Sequence, residues 1–417
     1  MRTPLRLPAV LLTASFVVSA AVVTNAGPLA ARGTRAAYTS DGYLSTAEQY
    51  SHWKETVYAP DPAFDSSTGA NSVVYSIAVD DDGKVLAVGE FNAVNGTAAG
   101  KVVRLNPDGS TDPTFDTGTG LQGAPYDVAI DADGKILVGG VFRAYNGTAA
   151  GGVVRLNPDG SVDSTFDTGT GIANDGLTSA SVRSVALAPD GKIVLGGQFS
   201  SFNGRPARSV VRLNVDGSVD PTLIAGSGVS SGTTDLVSAA AVDADGRILL
   251  GGLFSGFNGV PAGNLVRLNL DGSVDTGFSP DDRGRLSGLF LDPDGKIFPL
   301  GSGALVRLNP DGSPDSAFDT GAGTDESSWD AVMDADGTIL VVGSFTTFNG
   351  APAGHIVRLN SDGSTDPTFS AGTGTNSDIR SVALDPEGRI VIGGFFTTSN
   401  EIPANHVARL TLQTVPH

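Results

Sequence analysis

The chain of 417 residues contains no cysteine. Disulfide bonds, a thiol nucleophile, cysteine metal ligands and a lipid anchor on cysteine are therefore excluded. Long hydrophobic runs are also scarce: the longest extends from Ala9 to Val23 and is shorter than the about 20 residues that a membrane-spanning helix needs. The stability of the protein must come from buried apolar side chains and from backbone pairing.

Basic residues are few and scattered. Lys and Arg total 26 against 45 Asp and Glu, which gives a net charge of −19. Nucleic-acid binding relies on clustered Lys and Arg, whereas here single basic residues stand among turns rich in Asp. The composition argues against a nucleic-acid partner and favours a cationic partner or solubility outside the cell.

Residues 1–26 have the pattern of a secretory signal peptide. Arg2 and Arg6 precede the apolar stretch, and Thr24, Asn25 and Ala26 form a plausible cleavage site. We expect the mature protein to be secreted and extracellular. Removal of the two arginines leaves 24 basic and 45 acidic residues, a net charge of −21.

Glycine, with 56 residues, is abundant, and its positions reveal an internal repeat. Seven copies of one unit each contain an Asp-Gly or Glu-Gly turn, with spacings of 42 to 57 residues that suit one blade of a β-propeller. The glycines of these turns are Gly83, Gly134, Gly191, Gly246, Gly295, Gly337 and Gly388. A second turn, Asn-X-Asp-Gly-Ser, recurs in six copies at Gly109, Gly160, Gly217, Gly272, Gly312 and Gly363.

Each unit predicts four short strands. In the third copy, the β-branched runs 182–187 and 192–197 flank a turn with Gly191 at its left-handed position, which predicts a hairpin. Residues 210–214 predict a third strand, and the following turn leads to a short fourth strand around 219–223. Four antiparallel strands are typical of a propeller blade. Small residues in the first strand fit crowding near an axis: Ala78, Ala129, Ala186, Ala241 and Ala383.

The two ends of the chain each carry part of a unit. The last copy stops before a fourth strand, whereas residues 61–65 precede the first copy and match residues 112–116. We predict that this N-terminal piece completes the last blade, with Ala63 and Phe64 paired to the strand at 407–410. Such pairing would close the ring and hide both sheet edges.

The expected fold class is all-β: a seven-bladed β-propeller with four antiparallel strands per blade, closed by an N-terminal strand. The expected domains are a signal peptide at 1–26, an aromatic-rich leader at 27–59, the propeller at 60–412 and a tail at 413–417. In the leader, Ser45 followed by Glu48 is a capping-box signature, so residues 46–56 are a candidate short helix. A flexible leader is the alternative.

The recurring Gly-Gly-X-Phe, Asn-Gly, Arg-Leu-Asn-X-Asp-Gly-Ser and Asp-X-X-Phe elements resemble the delta-sixty repeat family of secreted bacterial propellers. The resemblance covers about residues 60–412 and implies the propeller fold, but brings no catalytic motif or ligand. Copy five departs from the pattern, because Pro299 to Gly303 replaces the Gly-Gly-X-Phe and Asn-Gly loop. We expect a truncated rim there.

Two charged series recur with the repeat. Arginines stand in the third strand at Arg104, Arg155, Arg212, Arg267, Arg307, Arg358 and Arg409, and aspartates in the fourth at Asp61, Asp112, Asp163, Asp220, Asp275, Asp315 and Asp366. A charge that appears identically in every copy indicates framework more than a binding site. We predict one Arg–Asp pair per blade.

Variation between copies points to a candidate site at the entry to the first strand. Eight residues before each first-turn glycine stand Tyr75, Tyr126, Arg183, Ser238, Ser287, Trp329 and Arg380. Next to them, where other copies have small residues, stand Asp127 and Asp330. The predicted ligand-binding set is Tyr75, Tyr126, Asp127, Arg183, Trp329, Asp330 and Arg380, because such side chains at a funnel mouth are typical of ligand pockets. Variable strand ends without a ligand are the alternative.

Three functions remain open on the sequence alone. The first is a secreted recognition protein that binds a small polar ligand, a glycan or a peptide end in the central funnel. The second is a hydrolase, lyase or cyclase that uses Asp127 or Asp330 with Arg183 or Arg380. The third is a scaffold for another extracellular protein. We expect a monomer without a cofactor. We also expect no metal site, because His355 and His406 lie at equivalent positions without a third ligand in view.

Overall fold

The computed structural model describes residues 38–39, 42–43, 54–64, 68–174, 180–224, 226–230, 235–282 and 284–416. The expected signal peptide and most of the leader lie outside the described residues. Two short strands of the leader, Tyr38–Thr39 and Gly42–Tyr43, pair antiparallel with each other. A separate compact unit extends from Lys54 to Pro416.

Three antiparallel strands form the sheet of most repeats, with the second strand in the middle. First strands are Val74–Val79, Leu121–Ile130, Ser181–Leu187, Leu236–Val242, Leu286–Leu291, Ser328–Met333 and Ile379–Leu384. Second strands are Val85–Gly89, Ile136–Tyr145, Ile193–Gln198, Ile248–Leu253, Ile297–Gly301, Ile339–Gly343 and Ile390–Gly394. Third strands are Val102–Leu105, Val153–Leu156, Val210–Leu213, Leu265–Leu268, Ile356–Leu359 and Val407–Pro416.

The expected fourth strand is reduced to a single bridge in six repeats. In repeat three, Leu213 pairs with Val219 alone, and the chain then turns. The cause is local, because Oδ1 of Asp220 accepts hydrogen bonds from the backbone N–H and the hydroxyl of Thr222, which fixes a turn in place of a ladder. Among the described residues, only in repeat seven does a long strand pair with the third strand on its outer side; the four-stranded sheet of repeat two includes the rim strand Thr148–Ala149 instead.

The fourth strand of repeat seven is Lys54–Pro60, which pairs antiparallel with the C-terminal strand from Pro60 opposite Leu410 to Lys54 opposite Pro416. This corrects three expectations. Ala63 and Phe64 lie in a turn after the paired strand, residues 54–56 of the candidate helix are extended, and residues 413–416 belong to a strand and not to a tail. The remainder of the candidate helix lies outside the described residues.

Short rim hairpins follow the second strand in all repeats except the fifth. Their strand pairs are Ala93–Val94 with Thr97–Ala98, the end of Ile136–Tyr145 with Thr148–Ala149, Ser201–Phe202 with Arg205–Pro206, Gly256–Phe257 with Val260–Pro261, Thr347–Phe348 with Ala351–Pro352, and Thr398–Ser399 with Ile402–Pro403. In repeats three and four, Ile172–Ala173 and Val229–Ser230 extend the hairpins. In the described residues of repeat five there are only two regular strands and no such hairpin, in agreement with the truncated rim that the sequence predicts.

Neighbouring repeats pack face to face through their sheets. The first strand of each repeat contacts the first strand of the next, and that of repeat seven contacts that of repeat one. Small residues permit this contact: a Cβ on Gly196 would lie 2.6 Å from Val237 of the next repeat. Apolar residues fill each interface, as expected for sheets that are buried on both faces. Within the described part of the chain, no helix is long and apolar enough to cross a membrane.

The predicted Arg–Asp pair is present in every repeat. The pairs are Arg104–Asp112, Arg155–Asp163, Arg212–Asp220, Arg267–Asp275, Arg307–Asp315, Arg358–Asp366 and Arg409–Asp61, with N–O distances of 2.7 or 2.8 Å. Most of these side chains are buried, so the prediction of a structural pair is confirmed.

Each of these arginines also reaches the next repeat. Arg155, for example, donates from Nη1 to the backbone carbonyl of Val215 in repeat three at 2.6 Å, and its guanidinium lies 4.6 Å from the ring centroid of Phe166. Arg409 of repeat seven makes the equivalent bond to the carbonyl of Pro107 in repeat one. The charged series therefore binds each repeat to its successor, a role that the sequence did not indicate.

Candidate functional site

Each of the seven variable residues occupies a β-bulge at the start of the first strand. In repeat one, Val74 lies opposite Gly89 and Ser76 opposite Val88, so that Tyr75 has no partner of its own. The same register shift leaves one unpaired residue in every other repeat: Tyr126, Arg183, Ser238, Ser287, Trp329 and Arg380. A bulge bends the strand and redirects the side chain that it leaves unpaired.

The glycine beside the bulge explains why the sequence folds in this way. A Cβ on Gly197 would lie 2.0 Å from the carbonyl oxygen of Ser181, and one on Gly89 would lie 2.0 Å from that of Val73. Real Cβ atoms do not approach backbone so closely, so the position requires glycine. The second glycine of the Gly-Gly-X-Phe motif thus creates the bulge, and the first allows the next repeat to pack.

Five of the seven predicted ligand-binding residues form a continuous line of contacts, here called the arc, which Phe395 completes. Arg183 lies over the ring of Tyr126 at 4.0 Å, and the Tyr126 and Tyr75 centroids are 5.6 Å apart. The line continues from Tyr75 to Phe395 with centroids 6.2 Å apart. The order along the arc is Arg183, Tyr126, Tyr75, Phe395, Arg380, Trp329, drawn from repeats three, two, one, seven and six.

Arg380 is stacked between two of these rings. Its guanidinium carbon lies 4.0 Å from the centroid of Trp329 and 4.9 Å from that of Phe395. Burial lowers the pKa of Arg380, although the charge of Asp378 acts in the opposite direction. Asp378 is its ion partner at 3.8 Å, while Nε of Arg380 and Nε1 of Trp329 are buried without a hydrogen-bond partner among the described residues. The arginine is therefore desolvated and only weakly compensated.

The centre of the arc is also influenced by charge. Burial, followed by the charge of Glu90, raises the pKa of Tyr75, so this phenol stays protonated near neutral pH. Glu90 itself forms an ion pair with Lys101 at 2.6 Å. Arg183 is exposed and donates from Nε to the hydroxyl of Ser181 at 3.3 Å. Two cations thus lie towards the ends of an aromatic surface.

Asp127 and Asp330, the other two predicted residues, bind the backbone. Oδ2 of Asp127 accepts from the backbone N–H of Val185 in the next repeat at 2.8 Å, and Oδ1 accepts from Ser76 and from the N–H of Val128. Oδ2 of Asp330 accepts from Ser381 and from the N–H of Val382 in the next repeat, both at 3.0 Å. The two carboxylates link repeats, which corrects the expectation that they face the mouth beside the aromatic residues.

The pKa values of these two carboxyl groups are raised. Burial is the largest cause for both, and the hydrogen bonds that they accept act against it. For Asp127 the result is a pKa of about 6, to which the negative charge of Asp330 contributes.

Serines take the same role in other repeats. The hydroxyl of Ser381 accepts from the N–H of Ile77 at 3.3 Å, and that of Ser184 from Ala240 at 3.0 Å. Ser76 accepts a longer bond from Val128 at 3.4 Å. The side chain at this position therefore accepts a hydrogen bond from a backbone N–H on the inner edge of the next repeat's first strand. Without it, that N–H would be unpaired. Ala239 and Gly288 occupy it in repeats four and five, and cannot do so.

Sequence reasoning missed Phe395 and Glu90. Both occupy the X of Gly-X-Phe at the end of the second strand, where the chain has Glu90, Val141, Gln198, Leu253, Ser302, Ser344 and Phe395. This position varies as strongly as the bulge position and lies beside it across the hairpin. Its variability is the signal that could have identified them.

The paired histidines do not form a metal centre with their surroundings. Burial lowers the pKa of both His355 and His406, and Nδ1 of His406 lies 3.0 Å from the carbonyl of Gly394. Across the described ranges, no group of three His, Asp or Glu side chains is arranged to hold a metal ion. The Asp-rich turns are closed by their own carboxylates, since Oδ1 of Asp131 accepts from the N–H groups of Asp133 and Lys135.

An all-β chain of seven repeated sheets that pack face to face, with variable residues at one end of the first strands, has the architecture of a β-propeller. The family model described as "Domain of unknown function (DUF5122) beta-propeller" matches seven segments: residues 81–115, 132–166, 188–223, 244–278, 293–318, 335–369 and 386–413. The chain belongs to this family. The seven segments correspond to the seven repeats.

Solved structures agree on the fold. The WD40 β-propeller domain of Doa1 is similar with a TM-score of 0.55 and 16% identity, over 85% of this chain and 96% of that chain. The extracellular domain of a hybrid two-component system from B. thetaiotaomicron has a TM-score of 0.54 and 14% identity over 82% of this chain, which spans only 40% of that protein. A streptogramin B lyase has a TM-score of 0.51 and 13% identity, over 86% and 98% of the two chains. No curated protein matches the sequence. At such identities the likeness shows the fold alone.

Proposed function

We propose that this protein is an exported recognition protein of the delta-sixty type, whose propeller is closed and seven-bladed and whose arc binds a small acidic ligand that contains a ring. The observation that carries the proposal is Arg380, a half-buried cation stacked on Trp329 and Phe395 with one carboxylate partner 3.8 Å away. A buried cation that is weakly compensated attracts an anion, because pairing recovers part of the lost hydration energy.

Closure is supported by contacts between the first and last repeats. Arg409 bonds to the Pro107 carbonyl, and Ser381 bonds to the Ile77 N–H. Both contacts have counterparts between consecutive repeats, since Arg155 bonds to the Val215 carbonyl and Ser184 to the Ala240 N–H. Within the last repeat, the strand Lys54–Pro60 pairs with residues 410–416. The proposed ring has one blade per repeat, with the fourth strand complete only in the last blade.

The chemistry of the arc favours an acidic sugar, an aromatic acid or the carboxylate end of a peptide. The faces of Tyr75, Tyr126 and Trp329 offer stacking surfaces, while Arg183 and Arg380 offer bidentate pairing to a carboxylate. Asp127 and Asp330 accept hydrogen bonds from the backbone of the strands that carry the arc. In this proposal they hold those strands in place and do not contact the ligand.

An enzyme is the second candidate, supported by the raised pKa values of Asp127 and Asp330. Against it, both oxygens of each carboxylate already accept backbone hydrogen bonds. An acid or base would have to break those bonds to reach a substrate. A protein-binding scaffold is the third candidate. It would be favoured if the arc bound no small ligand and its surface were apolar.

Trp329 provides a direct test. The chain has two tryptophans, Trp53 and Trp329, so a Trp53→Phe protein reports on the arc alone. Glucuronic acid and benzoate are titrated against their neutral counterparts, glucose and benzamide, and the fluorescence of Trp329 is followed. We expect saturable changes with at least one acid and none with the neutral compounds.

Two variants identify the site. Arg380→Gln should abolish the response, whereas Ser238→Ala, at the equivalent bulge of repeat four, should leave it unchanged. Equal responses to acids and neutral compounds would contradict anion recognition. A response that persists in Arg380→Gln would move the site elsewhere.

A further inference from the structure

A cavity of about 680 Å³ lies on the side of repeat four that faces repeat five. Its walls include Leu265 of the third strand and Phe278, which follows the single bridge that replaces the fourth strand. The rim residues Val260 and Pro261 also line it. It is separate from the arc, since none of the arc residues lines it. The cavity occurs beside the one repeat without a rim hairpin.

The other interfaces show what normally fills this place. The phenylalanine of each Gly-X-Phe motif belongs to one apolar cluster with the third strand of the preceding repeat, or, for Phe345 of repeat six, with Leu305 and Phe318 of repeat five. In repeat two, for example, Phe142 and Tyr145 share a cluster with Val102 and Phe115 of repeat one. At the interface between repeats four and five, Leu265 and Phe278 share a cluster that contains no rim aromatic residue. The chain replaces that residue by Gly303.

The charge of the walls adds a second requirement. The residues that line the cavity include two carboxylates, Asp275 and Asp282, and no Lys, Arg or His. The N–H of Gly284 and the side chain of Asn264 donate to Asp282 and lower its pKa, so it is ionised at neutral pH. Asp275 is paired with Arg267, which leaves Asp282 as the charge at the opening. An occupant with a positive charge beside its aromatic group would complement it.

We propose that this cavity is a binding site for a peptide segment of a partner protein that carries aromatic side chains next to a basic residue. The segment takes the place that the rim hairpin of the next repeat takes at the six other interfaces. Burial of an aromatic side chain against Leu265 and Phe278 supplies the binding energy, and Asp282 selects the basic neighbour. The proposed peptide therefore resembles the rim hairpins of the protein's own repeats in the side chains that it buries.

The rim of repeat two is a suitable probe, because residues 140–151 contain Phe142, Arg143 and Tyr145 within one short hairpin. A fluorescent synthetic peptide of these residues is titrated into the mature chain, and anisotropy is measured. We expect saturable binding that weakens about tenfold or more when Phe142 and Tyr145 are both replaced by Ala in the peptide. Replacement of Arg143 by Glu in the peptide should weaken binding most at low salt.

A matched pair of protein variants locates the site. Thr276 is exposed and lines the cavity, so Thr276→Trp should fill it and abolish binding. Ser164 occupies the equivalent exposed position of repeat two, where the neighbouring rim is present, and Ser164→Trp should leave binding unchanged. Absence of binding, equal affinity of the two peptides, or equal effects of the two variants would each overturn the proposal.

A graft provides a second readout that does not depend on free peptide. Residues 140–151 inserted in place of residues 301–303 would give repeat five the missing rim. We expect a higher Tm than that of the parent protein and loss of peptide binding, because the graft occupies the cavity. A folded graft that still binds the peptide with parental affinity would also overturn the proposal.

Discussion

The hydroxyl of Tyr58 accepts a hydrogen bond from Nη1 of Arg358 at 3.1 Å. In the other repeats the arginine of the third strand donates to a backbone carbonyl in the second turn of the next repeat, as Arg307 does to Ser361. The chain has no second turn in repeat seven, so an N-terminal side chain supplies the acceptor. Tyr58 also stacks on Phe369 with centroids 4.6 Å apart, which holds its hydroxyl in place.

This relationship gives a first prediction. Tyr58→Phe keeps the stacked ring and removes only the acceptor, so the free energy of unfolding should fall by about 1 to 2 kcal/mol. Denaturant titration measures the change. Tyr58→Leu, which also removes the stack, should be the less stable of the two. Identical unfolding curves for Tyr58→Phe and the parent protein would show that the hydrogen bond contributes nothing.

The strand Lys54–Pro60 should protect the C-terminal edge. Its deletion would leave the pairing groups of residues 410–416 exposed, and an open edge recruits other chains. We expect the truncated protein to form oligomers or aggregates, measured by light scattering during size-exclusion chromatography. Deletion of residues 27–53 is the control, because these residues precede the strand. A monomeric, folded protein without residues 54–60 would contradict the role assigned to the strand.

Arg212 tests the linkage between repeats. Its side chain is buried, it pairs with Asp220 at 2.8 Å, and Nη2 donates to the Leu270 carbonyl of repeat four. Arg212→Leu leaves a buried carboxylate without its partner and should reduce stability by about 1 to 3 kcal/mol. Arg205→Leu, on the exposed rim of the same repeat, should have little effect. Thermal unfolding that is the same for both variants would refute the structural role of the pair.

The raised pKa of Asp127 predicts a pH dependence of stability. The folded state holds a proton on this carboxyl up to about pH 6, whereas the unfolded state loses it near 3.8. The folded state therefore binds more protons in this window, and the contribution of Asp127 to stability falls as pH rises from about 4 to about 6. The stability of the parent relative to Asp127→Asn should therefore fall over the same range, because the amide does not titrate.

Asp216 serves as the comparison. Hydrogen bonds from the side chain and backbone of Ser218 lower its pKa, so Asp216→Asn should change the pH dependence only below about pH 4. Chemical denaturation at a series of pH values measures both curves. If the gap between the parent and Asp127→Asn is constant from pH 4 to pH 7, burial does not raise the pKa of Asp127.

The first three strands of each repeat could be predicted because their signals are local. Apolar runs beside Asp-Gly turns place the strands Ser181–Leu187 and Val210–Leu213 within one residue of their predicted bounds. The fourth strand was overpredicted, because Asp220 caps the following residues and Pro221 has no N–H to pair. The closing strand lies N-terminal to its predicted position at residues 61–65. The sequence pattern could not place it, because Lys54–Pro60 has no counterpart in the other repeats and pairs with residues that extend beyond the last repeat.

The candidate site was predicted in part for a similar reason. Tyr75 and Trp329 stand out because one repeat position varies in a framework that is otherwise uniform. The role of Asp127 could not be inferred, because its partner Val185 donates from the backbone, and backbone donors carry no residue signature. The links between repeats were missed for the same reason, since Arg155 binds the carbonyl of Val215 and not its side chain.

Lys54 lies directly opposite Pro416 in the last sheet. A turn of a few residues would join these two positions, and Gly303 in the shortened loop of repeat five has a φ of +98° and offers a place to open the chain. We expect a circularly permuted protein that begins at residue 304 to form the same sheets, with the same repeats packed against each other. Folding of the permuted protein would show that the contacts between repeats, and not the position of the termini, determine how the sheets assemble.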